Sequence, residues 1–227
     1  MNHGFIVLAV LIALAIGFRV LARVLVFLMK RGICRAGLKW VGHQAMAKQP
    51  DGIHLIPCTG HVWTNPGAMQ VMGRPLPALG FEDAGVFGIQ EMAGVYLRLL
   101  VQPEQRVAAC LYEHPKIGNW IDFFCHRSDG TSFTYTTARP TGLDQRPGCT
   151  TVNAPDCTAE ALYQRLLHER PARDWIEMTT ANVGQRFQDA YARSTAWRRS
   201  RGISAEEVAR RIQQGPIPKH TPQTSTE

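Results

Sequence analysis

Apolar and polar positions follow three different patterns along the chain. Residues 5–29 form an apolar run that is interrupted only by Arg19 and Arg23. Between residues 86 and 137, apolar and polar positions alternate with the period of two that is typical of β-strands. After residue 155, apolar residues recur at the spacing of amphipathic helices. These patterns predict an N-terminal transmembrane helix followed by one α+β domain.

The apolar run predicts a single-pass membrane anchor over residues 1–30. Its uninterrupted part, residues 5–18, is shorter than the roughly 20 residues that span a bilayer. The span reaches about residue 27 if the side chains of Arg19 and Arg23 snorkel toward the lipid headgroups. Two alternatives stay open. A cleaved signal peptide would lack its usual basic start, and a buried helix of a soluble domain would place both arginines beside no acidic residue.

Positive charge follows the apolar run, and the first acidic residue of the chain is Asp51. Because basic flanks stay in the cytoplasm, this asymmetry predicts a bacterial inner-membrane protein with its N-terminus outside and its domain in the cytoplasm. An exported domain is the alternative. Anionic lipid headgroups are the predicted membrane partner. The basic residues expected at the membrane surface are Arg19, Arg23, Lys30, Arg31, Arg35 and Lys39.

The alternating region predicts a five-stranded antiparallel meander. The expected strands cover residues 86–92, 95–101, 106–113, 120–127 and 131–137. Short connections containing Gly, Pro, Asn or Asp separate them, and short connections join antiparallel neighbours. Upstream, the many Gly and Pro residues of 31–78 predict a basic connector. Within it, only a short strand over 52–57 and a helical turn over 66–72 are suggested.

Helices are expected after the strands, and they complete a globular domain over residues 79–214. Apolar residues recur at helical spacing over 162–167 and 183–197. A third helix begins at Ser204, where Ser204 and Glu207 have the spacing of a capping box. Residues 138–155 are expected to form a loop, and residues 215–227 a disordered tail. At least one helix should cover the apolar face of the sheet.

Charge and cysteine spacing exclude several classes of partner. The net charge of +7 lies entirely in the first 50 residues, so the remaining chain lacks the broad basic surface that nucleic acids require. The six cysteines do not have the paired spacing of a zinc site. The sequence therefore predicts no nucleic-acid partner, no metal and no cofactor.

One strand face combines aromatic and polar side chains, and it is the expected ligand-binding surface. In the fourth predicted strand, Trp120, Asp122, Phe124 and His126 alternate onto one side. The candidate ligand-binding residues are Arg98, Tyr112, His114, Trp120, Asp122 and His126.

The sequence favours a binding role over catalysis, because no phosphate-binding loop, nucleophile elbow or zinc-helix motif is found. The leading hypothesis is a membrane-anchored protein whose cytoplasmic α+β domain binds a protein or a small molecule. The alternative is a membrane-tethered hydrolase. Its candidate catalytic residues would be Asp122 and His126, with Asp144 from the following loop.

Overall fold

A seven-stranded sheet with the strands in sequence order forms the centre of the protein. The computed structural model describes residues 37–38, 40–44, 46–47, 49–172 and 174–215. Neighbouring strands are antiparallel from β1 to β6, whereas β7 runs parallel to β6. The strands are β1 (Leu55–Pro57), β2 (Glu82–Ile89), β3 (Tyr96–Gln102), β4 (Val107–His114), β5 (Gly118–His126), β6 (Ser132–Thr136) and β7 (Cys149–Asn153).

Helices cover both faces of this sheet. Two of them pack on the first face, a third packs on the second face, and the fourth follows the third after a turn. A short 3-10 helix over Pro77–Leu79 precedes β2. Between residues 50 and 215, the α-helices are α1 (Pro66–Gly73), α2 (Ala159–Glu169), α3 (Val183–Arg201) and α4 (Ala205–Gln213).

The first face of the sheet packs against α1 and α2. From the strands, Leu111 and Phe123 contribute to this core, and Met72 and Leu162 come from the helices. All four side chains are almost completely buried. Burying a side chain of this size contributes about 1.5–3 kcal/mol, so this layer is a major source of stability.

The second face packs against α3 over the first half of that helix. Leu99, Cys110 and Phe124 point to this side, where they meet Val183 and Phe187. The central strands are therefore buried on both faces. Because α3 covers the second face only in part, space is left between its later turns and strands β5–β7.

The predicted five-stranded, purely antiparallel meander is wrong, because the sheet is mixed and has two further strands. Strand β1 lies within the segment predicted as a connector, and β7 within the segment expected to form a loop. β1 has three residues and ends in Pro57, and it pairs with a strand distant in sequence. β7 shows little apolar alternation, and parallel pairing leaves no hairpin signal. The short strand suggested over residues 52–57 is present as β1, whereas local sequence did not indicate β7.

The predicted membrane anchoring and inner-membrane location also need correction. Within the described part of the chain, no helix has the length and apolar character required to cross a membrane. The orientation with the N-terminus outside and the domain in the cytoplasm therefore has no support in the structure. The predicted anchor over residues 1–30 and its six surface cations lie outside the described residues, as do residues 216–227 of the predicted tail.

Candidate functional site

A cavity of about 700 Å³ lies between the second face of the sheet and α3. Its floor comes from β4 to β7, and its opposite wall comes from the middle and last turns of α3. The residues between β6 and β7 close a third side. The residues that matter most for its chemistry are Tyr112, Asp122, His126, Asp144, Arg146 and Arg198.

The crossover between β6 and β7, residues 137–148, forms the third wall because the two strands are parallel. A connection between parallel strands must bring the chain back to the edge of the sheet at which the first strand begins. It therefore crosses one face of the sheet instead of making a hairpin. Here it crosses the second face, and residues 140–146 line the cavity. Gly148 ends the crossover with φ of 78°, a conformation that favours glycine.

Ion pairs fasten this crossover to the corner between α3 and α4. The Asp144 carboxylate contacts Arg201 at 2.9 Å and also contacts Arg210. Arg210 additionally donates to the Gly142 carbonyl at 3.0 Å. Gly142 and Asp144, within the loop segment that lines the cavity, are therefore held by arginines of α3 and α4.

Glu207 is the buried acceptor at this corner, with 1% of its surface exposed. It accepts hydrogen bonds from the backbone N–H groups of Ser204 and Asp144, both at 2.8 Å, and it pairs with Arg201. Burial raises its pKa, but the hydrogen bonds from Arg201, Ser204 and Asp144 outweigh burial and lower the pKa to about 2. Glu207 is thus a structural carboxylate that holds the crossover, and the capping box at Ser204 is present.

His126 lies at the cationic end of the cavity. It is 6% exposed, and its Nδ1 atom has no hydrogen-bond partner. Burial lowers its pKa to about 4, with further lowering by the charges of Arg193, Arg186 and Arg146. The imidazole is therefore neutral at pH 7. The Nε atoms of Arg146 and Arg198 are also buried without a hydrogen-bond partner.

Asp122 supplies a carboxylate elsewhere in the cavity. Burial raises its pKa to about 6, although hydrogen bonds with Thr136, Tyr112 and Trp120 act in the opposite direction. Its Oδ1 atom is buried and has no hydrogen-bond partner. Asp122 therefore combines a raised pKa with an unsatisfied oxygen, and both features are common at functional sites.

Aromatic side chains separate Asp122 from His126. Phe124 lies between them on the same face of β5, and its ring centroid is 6.3 Å from that of Phe187 on α3. Tyr112 is 6.2 Å from Phe187 and stacks on Trp120 at 4.4 Å. The middle of the cavity is thus apolar and aromatic, with polar groups on either side.

The hydrogen bond expected of a catalytic Asp–His pair is not formed. Asp122 and His126 are four residues apart on an extended strand, which separates their Cα atoms by about 13 Å. The two buried atoms that could have met, Oδ1 of Asp122 and Nδ1 of His126, both lack a hydrogen-bond partner. Asp122 therefore does not orient this imidazole in the way that a catalytic dyad requires.

Four of the candidate site residues line this cavity: Tyr112, Asp122, His126 and Asp144. Trp120 contributes by stacking on Tyr112. The other two candidates lie elsewhere. His114 accepts a hydrogen bond from the backbone N–H of Lys116 at 3.1 Å, within a hairpin.

Arg98 lies on the first face of the sheet and does not reach the cavity. It forms an ion pair with Asp83 at 2.7 Å and lines a smaller depression beside α1. The reason is strand alternation, since Arg98 and Leu100 share one side of β3 while Leu97 and Leu99 share the other. The buried Leu100 shows that the side of Arg98 is covered as well.

Sequence reasoning did not single out the α3 side of the cavity as a binding wall. Phe187, Tyr191, Ser194 and Trp197 form a stripe with helical spacing, which indicates a packed face but not what it packs against. Arg198 belongs to a group of arginines at the end of this helix. Only the position of α3 over the sheet brings Arg198 to the cavity.

Thiol groups are present near the site, but no metal-binding cluster is found within the described ranges. The cysteines there are all free, and Cys149 lines the cavity. No group of three or more His, Cys, Asp or Glu side chains is arranged to hold a metal ion in this part of the chain. Cys34 lies outside the described residues.

Comparisons with known proteins do not assign this chain to a family. No family model matches it, and no curated protein or solved structure matches it either. No relative therefore supplies a function for the cavity.

Proposed function

We propose that the protein is a binding protein for a small organic anion, which enters the cavity between the sheet and α3. The observation that carries this proposal is the group of buried, unpartnered nitrogen atoms at the cavity: Nδ1 of His126 and Nε of Arg146 and Arg198. The charge of Arg146 acts on His126, so one carboxylate or phosphate could accept hydrogen bonds from both of these side chains.

The energetic argument rests on the cost of unpaired polar groups. A buried donor or acceptor without a partner costs about 1–3 kcal/mol, and more when the group is charged. The positive charges of Arg146, Arg186 and Arg193 also act on His126 and keep it neutral. An anion would satisfy donors and reduce the repulsion among the guanidinium groups, so its binding would recover energy that the empty cavity loses.

Cavity size and lining support an organic ligand in preference to an inorganic ion. The volume of about 700 Å³ lies within the range that drug-sized ligands occupy, about 300–1,000 Å³. Phe124 and Phe187 offer aromatic surface next to the cationic end. A ligand with an apolar body and an anionic head would use both parts of the lining.

The alternative function, a hydrolase using Asp122, His126 and Asp144, has less support. The carboxylate of Asp144 is engaged by Arg201 and Arg210. Asp122 and His126 do not contact each other through their unpartnered atoms. Neither arrangement activates a nucleophile, so binding without a reaction accounts better for the site.

The proposal is tested by calorimetric titration of the full-length chain with octanoate. We expect saturable binding, and we expect Arg146→Gln to weaken it about tenfold or more, because a hydrogen bond to a charged group contributes about 1.5–3 kcal/mol. Arg198→Gln should weaken binding in the same direction. Arg98→Gln is the matched control, because it removes an arginine from the opposite face and should leave the affinity unchanged. Absence of octanoate binding, or equal binding by the wild type and Arg146→Gln, would overturn the proposal.

A further inference from the structure

We infer that the ligand of this cavity is bifunctional, with an anionic group at His126 and Arg146 and a protonated amine at Asp122, joined by an apolar linker. This inference rests on the proposed function and extends it from a class of anions to ω-amino acids and molecules of similar design. Three observations support it: the unpaired oxygen of Asp122, the distance along β5, and the aromatic surface between the two polar groups.

The first observation is that Asp122 lacks a cationic partner. Its Oδ1 atom is buried without a hydrogen bond, and no ion pair to it is found among the described residues. The other carboxylates around the cavity differ in this respect. Asp144 pairs with Arg201 and Arg210, and Glu207 pairs with Arg201. The protein thus neutralises these two carboxylates but leaves Asp122 for a cation from outside the chain.

The second observation is the spacing of the two polar groups. Asp122 and His126 lie on one face of β5 and both line the cavity. Four residues of extended strand separate their Cα atoms by about 13 Å. After allowance for the side chains and for hydrogen-bond contact, the ligand must hold its two charges about 8–10 Å apart. An α-amino acid is too short for this arrangement.

The third observation defines the linker. Phe124 lies between Asp122 and His126 on the strand, and Phe187 faces it from α3 at 6.3 Å. Tyr112 extends this aromatic surface toward Asp122. An alkyl or aromatic linker would bury apolar area here, whereas a linker with hydroxyl or amide groups would lose hydrogen bonds to water. An extended chain covers about 1.2 Å per bond, so eight carbons give the required separation of about 10 Å.

Calorimetry on the full-length chain at pH 7.5 tests this inference with three probes: octanoate, 8-aminooctanoate and 4-aminobutanoate. We expect 8-aminooctanoate to bind about tenfold more tightly than octanoate, because its amine donates a charge-assisted hydrogen bond to Asp122. The short 4-aminobutanoate should bind less tightly than 8-aminooctanoate. In Asp122→Asn, the ratio of the affinities for 8-aminooctanoate and octanoate should fall from about ten to about one. Asp129→Asn, in an exposed hairpin, is the control and should preserve the wild-type ratio.

The outcomes separate this inference from the proposed function. If octanoate binds and 8-aminooctanoate binds no better, or if Asp122→Asn preserves the tenfold ratio, the bifunctional ligand is wrong while anion binding stands. If no probe binds, the proposed function fails and this inference fails with it. Asp122→Ser provides a second variant that also removes the carboxylate, and the same loss of preference is expected there.

Discussion

Replacing Asp122 with Asn should stabilise the protein at neutral pH. In the folded state, burial raises the pKa of Asp122 to about 6, compared with an ordinary value of 3.8. Folding therefore favours the protonated form of this carboxyl. The stability that depends on protonation is fully present below pH 3.8 and is lost as the pH rises through 6. An asparagine has a similar shape and does not ionise, so the variant avoids this loss.

The magnitude follows from the size of the pKa difference. A shift of about two pH units corresponds to up to about 3 kcal/mol, since each unit is worth 1.36 kcal/mol. We expect Asp122→Asn to exceed the wild type in free energy of unfolding by up to this amount at pH 7.5. At pH 4, where the wild-type carboxyl is largely protonated, the difference should approach zero. The oxygen of the asparagine can still accept hydrogen bonds from Tyr112 and Thr136.

Urea denaturation at pH 7.5 and pH 4, followed by circular dichroism, measures this difference. Asp129→Asn is a suitable control, because side-chain and backbone hydrogen bonds from Thr131 lower the pKa of Asp129 and its substitution should not stabilise the protein at neutral pH. A variant Asp122→Asn that is less stable than the wild type at pH 7.5 would refute the reasoning. A stability difference that is the same at both pH values would refute it equally.

Three further predictions concern the frame of the cavity. Glu207→Gln should lower the unfolding free energy by about 2–3 kcal/mol at pH 7. The wild-type pKa of about 2 adds stability above pH 4.5, and this stability disappears as the pH falls through 2. Urea melts of both proteins across this pH range would show the difference. The wild type should lose about 3 kcal/mol of unfolding free energy as the pH falls from 6.5 to 4, because the unfolded histidine binds a proton in this range and the folded one does not. His126→Gln should abolish this loss. Equal slopes of unfolding free energy against pH for both proteins would contradict this prediction. Gly148→Ala should lower the unfolding free energy by about 2–4 kcal/mol, since φ is 78° and the added Cβ would lie 2.4 Å from Cγ2 of Thr131. Adding Thr131→Ser to this variant removes Cγ2 and should recover the part of the loss that is due to the clash. Thermal denaturation of the double variant would reveal this recovery.

Local sequence was sufficient for elements whose formation depends on neighbours along the chain. Strands β3 to β6 lie within about two residues of the positions that alternation and turn residues indicate, because hairpin pairing needs only adjacent segments, whereas β2 lies earlier than predicted, at Glu82–Ile89 instead of 86–92. The start of α4 follows from Ser204 and Glu207, which satisfy each other's backbone donors within one turn. The common face of Asp122, Phe124 and His126 follows in the same way from the period of two in a strand.

Pairing between distant segments was decided only in the tertiary structure. The short strand β1 pairs with β2, and β7 pairs in parallel with β6, although neither segment carries a strong strand pattern. The parallel pairing then forces residues 137–148 across one face of the sheet. No local property of this crossover indicates which face of the sheet it covers. Its role as a wall of the cavity could therefore not be predicted from the sequence.

The sequence alone determined which side chains share the surface of β5, because alternation is a property of the extended backbone. The tertiary structure decided what surrounds them. It brought Arg146, Arg186 and Arg193 near His126, and it left the buried Oδ1 atom of Asp122 without a hydrogen-bond partner. The charges and hydrogen bonds of a site depend on contacts between segments distant in sequence. For this reason the candidate residues could be named in advance, whereas their protonation and their unpaired atoms could not.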